Sequence, residues 1–391
     1  MYLSTWEEKA LQGEFGEATS IAMNVLTKVC RALKAERLVE IRHAHVAGVS
    51  YFNISDEGLE LLEELASKGA RVAVYTTANP ASVTVSRFFE PFFDKNVVTK
   101  QRRVIDVLVS MGIDEKSFTC TPYKIRMPRQ GEHLAWAESS AVIYANSIAG
   151  ARTNREGAVV SLMAAITGRT CYCGYHVSEN RYPTELIEVE FPVDSISAAS
   201  AIGLYIGKIT SGVPYIRVKI ELGSRLRDVA IRSMLASIAS TSSSALALIE
   251  GISPEAKKID TKHLEKLAID KKDLADILDC SCTSEGIEGI LVGCPHVDLD
   301  EAHEILASSI SKLKSLGVKK MFIATPIFEE HRIAGFIHSI EGIEVIYLPG
   351  ACPVVSNLKA ANILLMPTIH GKAYHYLPRL AGVASCILNI A

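Results

Sequence analysis

Past residue 286 short apolar runs alternate with amphipathic stretches. Ile287–Val292, Lys320–Ala324 and Ile343–Leu348 read as buried strands, Asp298–Leu316 and Glu329–Ile340 as the helices between them, and a short helix starts at Val354. Parallel strands need crossover connections, and helices in those crossovers cover the faces of the sheet. The pattern therefore predicts an α/β/α layer, in which ligands bind beyond the carboxyl ends of the strands.

The same rhythm appears, less regularly, at the other end of the chain. Residues 4–35 read as helical, with capping-box pairs Ser4/Glu7 and Thr5/Glu8 and apolar residues at helical spacing. A strand at Leu38–Ile41, an amphipathic helix at Asp56–Lys68 and a strand at Arg71–Thr76 ending at Asn79-Pro80 form a second strand–helix–strand unit. Between the two ends, Trp136–Thr170 reads as mostly helical and Leu186–Phe191 as a strand. The run Ser237–Ser244 could pass for a linker, but the flanking Met234-Leu235 and Leu246–Ile249 mark it as a close-packed helical segment. Residues 256–279 read as a charged, solvated helix, and Leu377–Leu388 as an apolar one. The expected division is an N-terminal α/β domain over 1–135, a central mixed α/β region over 136–285 and a C-terminal α/β/α domain over 286–391.

Bulk properties exclude several functions. The 391 residues are 48% hydrophobic, enough for full cores in two or three domains. A net charge of −3 with Lys and Arg spread along the chain gives no surface for nucleic acid. No apolar run reaches the ~18 residues of a membrane span, and the acidic start Met1–Lys9 is unlike a signal peptide. The expected compartment is the cytoplasm.

Nine cysteines in such a chain argue against a secreted disulfide framework and for metal or catalytic use of some of them. Cys30 and Cys386 lie in apolar runs and read as core packing. Cys171-Tyr-Cys173 and Cys280-Ser-Cys282 lack the two-residue spacing of a zinc knuckle. Three others sit beside prolines in loops: Cys294 in Gly293-Cys-Pro295, Cys352 in Gly350-Ala-Cys-Pro353, and Cys120 in Cys120-Thr-Pro122. Glycine permits a sharp turn and proline fixes φ, so a thiol held between them after a strand is presented to a cleft. Three thiolates suit an iron-sulfur cluster with one iron left open, which can act as a Lewis acid on a poor leaving group such as hydroxyl.

At these residues the sequence resembles the aconitase X family. The matching elements are His45-Val-Ala-Gly48-Val-Ser50, Thr77-Ala-Asn79-Pro80, Cys120-Thr-Pro122-Tyr, Trp136-Ala-Glu-Ser139-Ser140, Asn146–Gly157, Gly293-Cys294-Pro-His296, Gly350-Ala-Cys352-Pro353 and Thr368-Ile-His-Gly-Lys372. The resemblance implies an aconitase-like large subunit, with several α/β/α layered domains around a central cluster-binding cleft. It implies that Cys120, Cys294 and Cys352 hold a 4Fe-4S cluster with one open iron. It places the substrate among Gly48, Val49, Ser50, Asn79, Pro80, Ser139, Ser140 and Lys372.

The implied reaction is dehydration of (R)-5-phosphomevalonate to trans-anhydromevalonate 5-phosphate in the archaeal mevalonate route to isoprenoids. The implied partner is a small subunit, a swivelling domain that forms a heterodimer and brings a serine as the base. None of His43, His45, His133, His296 and His370 is assigned as a catalytic base, because a histidine near a cofactor is as often a hydrogen-bonding support. The competing expectations are a dehydratase for another small hydroxy acid such as 3-hydroxyproline, and a zinc or redox iron-sulfur protein without chemistry.

Overall fold

The computed structural model of the chain describes residues 1–84, 94–279, 287, 289–333, 337–356, 358 and 363–390. Three parallel-based sheets organise it. In the first, His43–Val46 lies between Tyr75–Ala78 and Ala135–Trp136, all parallel. In the second, Glu185–Val189 and Pro214–Arg217 are the central strands, flanked by Glu265–Ile269 and Leu248–Ile249. In the third, Gly289–Val292, Lys320–Thr325 and Ile343–Pro349 are parallel, and Ile337–Ile340 adds antiparallel to the last.

The helices cover these sheets through their apolar stripes. Helix Tyr51–Ser67 buries Leu59, Leu62 and Leu65, and Lys95–Ser110 buries Val104 and Leu108, in one core with the first sheet. Helix Leu299–Ser315 begins at a capping box in which Asp298 and Glu301 exchange hydrogen bonds, and it buries Ala302, Ile305 and Leu306. The serine-rich run is helical through Thr241, as part of Ser224–Thr241, and packs tightly against Ile196–Ile209. A Cβ on Gly203 would lie 2.2 Å from the carbonyl oxygen of Met234. Small residues are thus what let the two helices approach.

Several expectations change. Glu329–Ile340 is not a helix: a 3-10 turn spans Ile327–Arg332, and Ile337–Ile340 returns as a strand. The cause is a two-residue hairpin at Glu341 and Gly342, both at positive φ (49° and 88°), which suits a tight turn between antiparallel strands. Within 256–279, Glu265–Ile269 is an edge strand on Glu185–Val189, so pairing overrides the helical look of its charges. Leu377–Leu388 forms only a π-helical turn over Leu377–Ala381, stopped by Gly382 at φ 68°. Beyond it Ala384 and Ile387 bridge to Leu365 and Thr368. The strand expected at Arg71–Thr76 is Tyr75–Ala78.

The cysteines also differ from expectation. Cys30 is not simple packing but is bonded to Cys171 across 141 residues of sequence. That cross-link contributes ~2–5 kcal/mol by constraining the unfolded chain. Cys386 is disulfide-bonded as well. Cys280 and Cys282 lie outside the described residues.

A buried ionic cluster joins the layers. Arg232, 2% exposed, donates to Glu301, to Asp228 (2.9 Å) and to the carbonyl oxygen of His296 (3.2 Å). Lys124, from the turn after Cys120, donates to Glu301 and Asp298. Removing Arg232 leaves the buried Glu301 with Lys124 as its remaining cation and the His296 carbonyl without its donor, so Arg232→Met is expected to lower stability by up to ~3–5 kcal/mol in urea titration. A loss below ~1 kcal/mol would mean that Lys124 alone satisfies the carboxylate.

Candidate active site

The three free loop thiols come together at the carboxyl ends of strands from the first and third sheets. Cys294 follows Gly289–Val292, and Cys352 follows Ile343–Pro349. Cys120 follows Phe118, which bridges to Ala78 at the end of Tyr75–Ala78. Gly293 lets its loop form, at φ 103° with a Cβ position only 2.2 Å from the Ala324 carbonyl oxygen. No other residue type fits there without moving backbone.

His296 ties the three loops to each other. Its backbone N–H points at the Cys120 sulfur (3.2 Å), its ring Nε2–H donates to the Ala351 carbonyl oxygen (2.9 Å), and its Nδ1 accepts from Thr119 Oγ1 (3.2 Å). The carbonyl can only accept, which fixes the tautomer. Burial above all lowers this imidazole to about 4, so it is neutral.

The Asn79-Pro80 loop sits between two of the cysteine loops. Thr119 N donates to Ala78 O (2.9 Å), and Cys352 N donates to Ala81 O (2.9 Å). Ser50 Oγ donates to Val355 O (2.9 Å), which pins the turn after Cys352. Gly48 and Val49 lie between the strand His43–Val46 and the helix Tyr51–Ser67.

Glu138 and Lys372 form a buried ion pair within electrostatic range of the thiols. Glu138 caps helix Ser139–Ser147 by accepting from Ala141 N (2.7 Å), and it also accepts from Ser139 and Ser140 hydroxyls. Lys372 Nζ donates to Glu138 and lies 3.4 Å from Ser140 Oγ. Lys372 is held on a segment anchored to helix Ile196–Ile209, where Ser200 Oγ donates to Ile369 O (3.0 Å). Burial alone would raise the Glu138 carboxyl, but the Lys372 charge and these hydrogen bonds outweigh it and hold it at about 2. Burial opposes the charge on Lys372 in turn, and Glu138 more than restores it.

Ser50, Asn79, Pro80, Ser139, Ser140 and Lys372 thus lie beside the thiols or the segments that hold them, whereas Gly48 and Val49 join them only as chain neighbours of Ser50, and a Cβ on Gly48 would meet Ala158 and Ile54. Glu138, which closes the pair with Lys372, was not singled out in the sequence; its signal is a carboxylate one residue before a Ser-Ser helix start. The five histidines behave as supports where they are described: His43, His45, His296 and His370 are fully buried in hydrogen-bond networks, and His133 pairs with His176 away from the thiols.

The thiols are in electrostatic range of one another. Burial first, and Glu138 as well, raises Cys120, while Lys372 lowers it; Cys294 and Cys352 are raised mainly by burial. Burial outweighs the Lys372 charge and keeps them neutral, and a metal centre is what turns such thiols into thiolates. No three His, Cys, Asp or Glu side chains among the described residues converge on a point where one ion would sit. An iron-sulfur cluster makes a different demand, since each thiolate binds a separate iron. Three unpaired thiols on three neighbouring loops fit that demand.

Layered parallel sheets whose loop ends bring the three thiols near one another define an aconitase-like α/β architecture. Models of the aconitase X first, second and third domains match residues 1–179, 183–279 and 287–391. The chain belongs to the aconitase X family. It is 38% identical to the phosphomevalonate dehydratase large subunit of Thermococcus kodakarensis over 92% of this chain and 90% of that one. The Methanocaldococcus jannaschii large subunit is 36% identical, over 97% and 95%. A cis-3-hydroxy-L-proline dehydratase of Pseudomonas aeruginosa is 28% identical over 98% of this chain but 69% of its own length. The crystal structure of Thermococcus kodakaraensis aconitase X in its holo-form superposes with a TM-score of 0.84 at 35% identity, covering 100% of this chain and 97% of that one. Among the described residues no helix is long and apolar enough to cross a membrane.

The ion pair gives a pH signature. Glu138 titrates lower folded than unfolded, so its contribution is fully present above pH ~4.5 and is lost as pH falls toward 2. Unfolding free energy is expected to drop by roughly 3 kcal/mol across that window, and Glu138→Gln to flatten the drop. Equal slopes for the two proteins in urea titrations at stepped pH would overturn this account.

Proposed function

We propose that the chain is the cluster-bearing large subunit of a hydro-lyase that removes water from (R)-5-phosphomevalonate to give trans-anhydromevalonate 5-phosphate. The observation that carries the reading is the gathering of Cys120, Cys294 and Cys352, all unpaired, around the Glu138–Lys372 pair. Similarity supports the substrate: five archaeal large subunits are 33–38% identical, against 26–28% for two cis-3-hydroxy-L-proline dehydratases.

On this reading the three cysteines hold a 4Fe-4S cluster, whose open iron supplies a Lewis acid for the departing hydroxyl. The protein's own groups bind and orient. Backbone N–H groups of Gly48 and Val49 and the amide of Asn79 donate to substrate oxygens, beside Pro80, which is buried at the same loop. Lys372 remains cationic through its pair with Glu138 and sets a positive field for the carboxylate or phosphate, with Ser139 and Ser140 lining the helix start. The hydroxyl of Ser50 holds the loop after Cys352 in place, and its side of the cleft is read through backbone. The proton on the carbon next to the hydroxyl-bearing one leaves to a base, which we assign to a small subunit, as the name "large subunit" of the relatives suggests. Proton and hydroxyl together make the water released.

The test is anaerobic. After cluster reconstitution and addition of the small subunit, (R)-5-phosphomevalonate is expected to turn over and cis-3-hydroxy-L-proline is not; the reverse preference would sink the substrate assignment. Cys120→Ser, Cys294→Ser and Cys352→Ser are each expected to lose the cluster's visible absorption and iron, whereas Cys173→Ser, the remaining free thiol among the described residues, keeps both. Retention in all four variants would move the ligands elsewhere. Gly293→Ala is expected to lose cluster while keeping most of its far-ultraviolet circular dichroism, because the added Cβ meets the Ala324 backbone and pushes the Cys294 loop off that strand.

A further inference from the structure

The first sheet carries a hydrogen-bonded row that ends at the Asn79-Pro80 loop, between two of the cysteine loops. Its parallel register sets His43 beside Tyr75 and His45 beside Thr77. Residues two apart share a face of a sheet, so His43, His45, Thr77 and Asn79 fall on one side. His43 Nε2 lies 3.0 Å from Thr77 Oγ1, Thr77 Oγ1 lies 2.7 Å from His45 Nδ1, and His45 Nε2 lies 2.9 Å from Asn79 Oδ1. His43, Thr77 and His45 are fully buried, with both imidazoles edge-on to the Trp136 ring, while Asn79 is only partly so.

The direction of the row follows from donor and acceptor counting. Burial lowers His43 strongly and takes His45 to about 4, so each ring carries one N–H. The amide oxygen of Asn79 can only accept, which puts the His45 hydrogen on Nε2 and leaves Nδ1 to accept from the Thr77 hydroxyl. Thr77 then accepts from His43 Nε2–H, and His43 Nδ1 is left as a bare acceptor. His43 Nδ1 is in fact buried without a partner. With the Asn79 amide turned the other way every bond reverses, and that same atom becomes a buried N–H with no acceptor, the rarer and costlier state. The 3.5 Å approach of Thr77 Oγ1 to Ala44 O is too long to compete.

We infer that Thr77 and His45 are positioning residues that lock the Asn79 side chain with its NH2 toward the cleft, so that this position recognises an anionic or hydroxyl oxygen as a donor only. The Asn79 NH2 has no protein partner among the described residues. The inference rests on the proposed contact between Asn79 and substrate, and it adds what fixes that contact.

The test combines spectroscopy with kinetics on the cluster-loaded chain and its small subunit. Selective 15N-histidine spectra, assigned with variants lacking either ring, are expected to show both His43 and His45 protonated at Nε2. Thr77→Val is expected to disturb both signals and raise KM for (R)-5-phosphomevalonate roughly fivefold to tenfold, with kcat changed less than about twofold. Thr77→Ser, which keeps the hydroxyl, is expected to restore spectra and KM. A His45 found protonated at Nδ1, or a Thr77→Val with unchanged KM beside an Asn79→Ala whose KM rises, would overturn the locking role. An Asn79→Ala with unchanged KM fails differently: the substrate contact itself is then absent.

Discussion

Glu301 is the point on which the cleft depends. It lies buried, 3% exposed, between Lys124 and Arg232, while its partner in the capping box, Asp298, also takes Lys124. Each cation comes from a different part of the chain: Lys124 from the turn after Cys120, Arg232 from the central helix Ser224–Thr241. Arg232 also holds the carbonyl oxygen of His296, two residues past Cys294. One carboxylate thus fixes two cysteine loops against the central layer. A buried ion cluster adds little net stability compared with a well-packed apolar substitute, but breaking it is costly, so its effect is to hold one arrangement.

His296 works inside that frame. Its three hydrogen bonds reach the Cys120 sulfur, the residue next to Cys352 and a threonine beside Cys120, and all need the loops already placed by the ionic cluster. The Glu138–Lys372 pair then sets the charge in the cleft. Low exposure keeps the pair strong, and the hydroxyls of Ser139 and Ser140 complete the carboxylate's hydrogen bonds.

Much of the layout was legible because it rests on local chemistry. Strand runs such as Ile343–Pro349 carry period and composition, Asp298 and Glu301 carry a capping box, and glycine and proline mark the turns around Cys294 and Cys352. The misread segments are those where a distant partner decides. Glu265–Ile269 sits in a charged stretch, 256–279, that looks helical in isolation, and becomes an edge strand only because Glu185–Val189 offers a free side. Cys30 looks like packing until Cys171, far along the chain, comes within bonding distance. Glu138 looks like any residue before a helix until Lys372 arrives beside it.

By itself the sequence determined the alternating elements, the proline-flanked thiols and the family to which the chain belongs, since spacing, turn residues and ordered motifs are written along one dimension. Only the tertiary structure decided which thiols are free and which are bonded, which carboxylate meets which amine, and which way the His43–Thr77–His45–Asn79 row points. Those outcomes depend on distances between residues that are remote in sequence and on burial, which forces each polar group to find a partner, and neither is encoded at any single position.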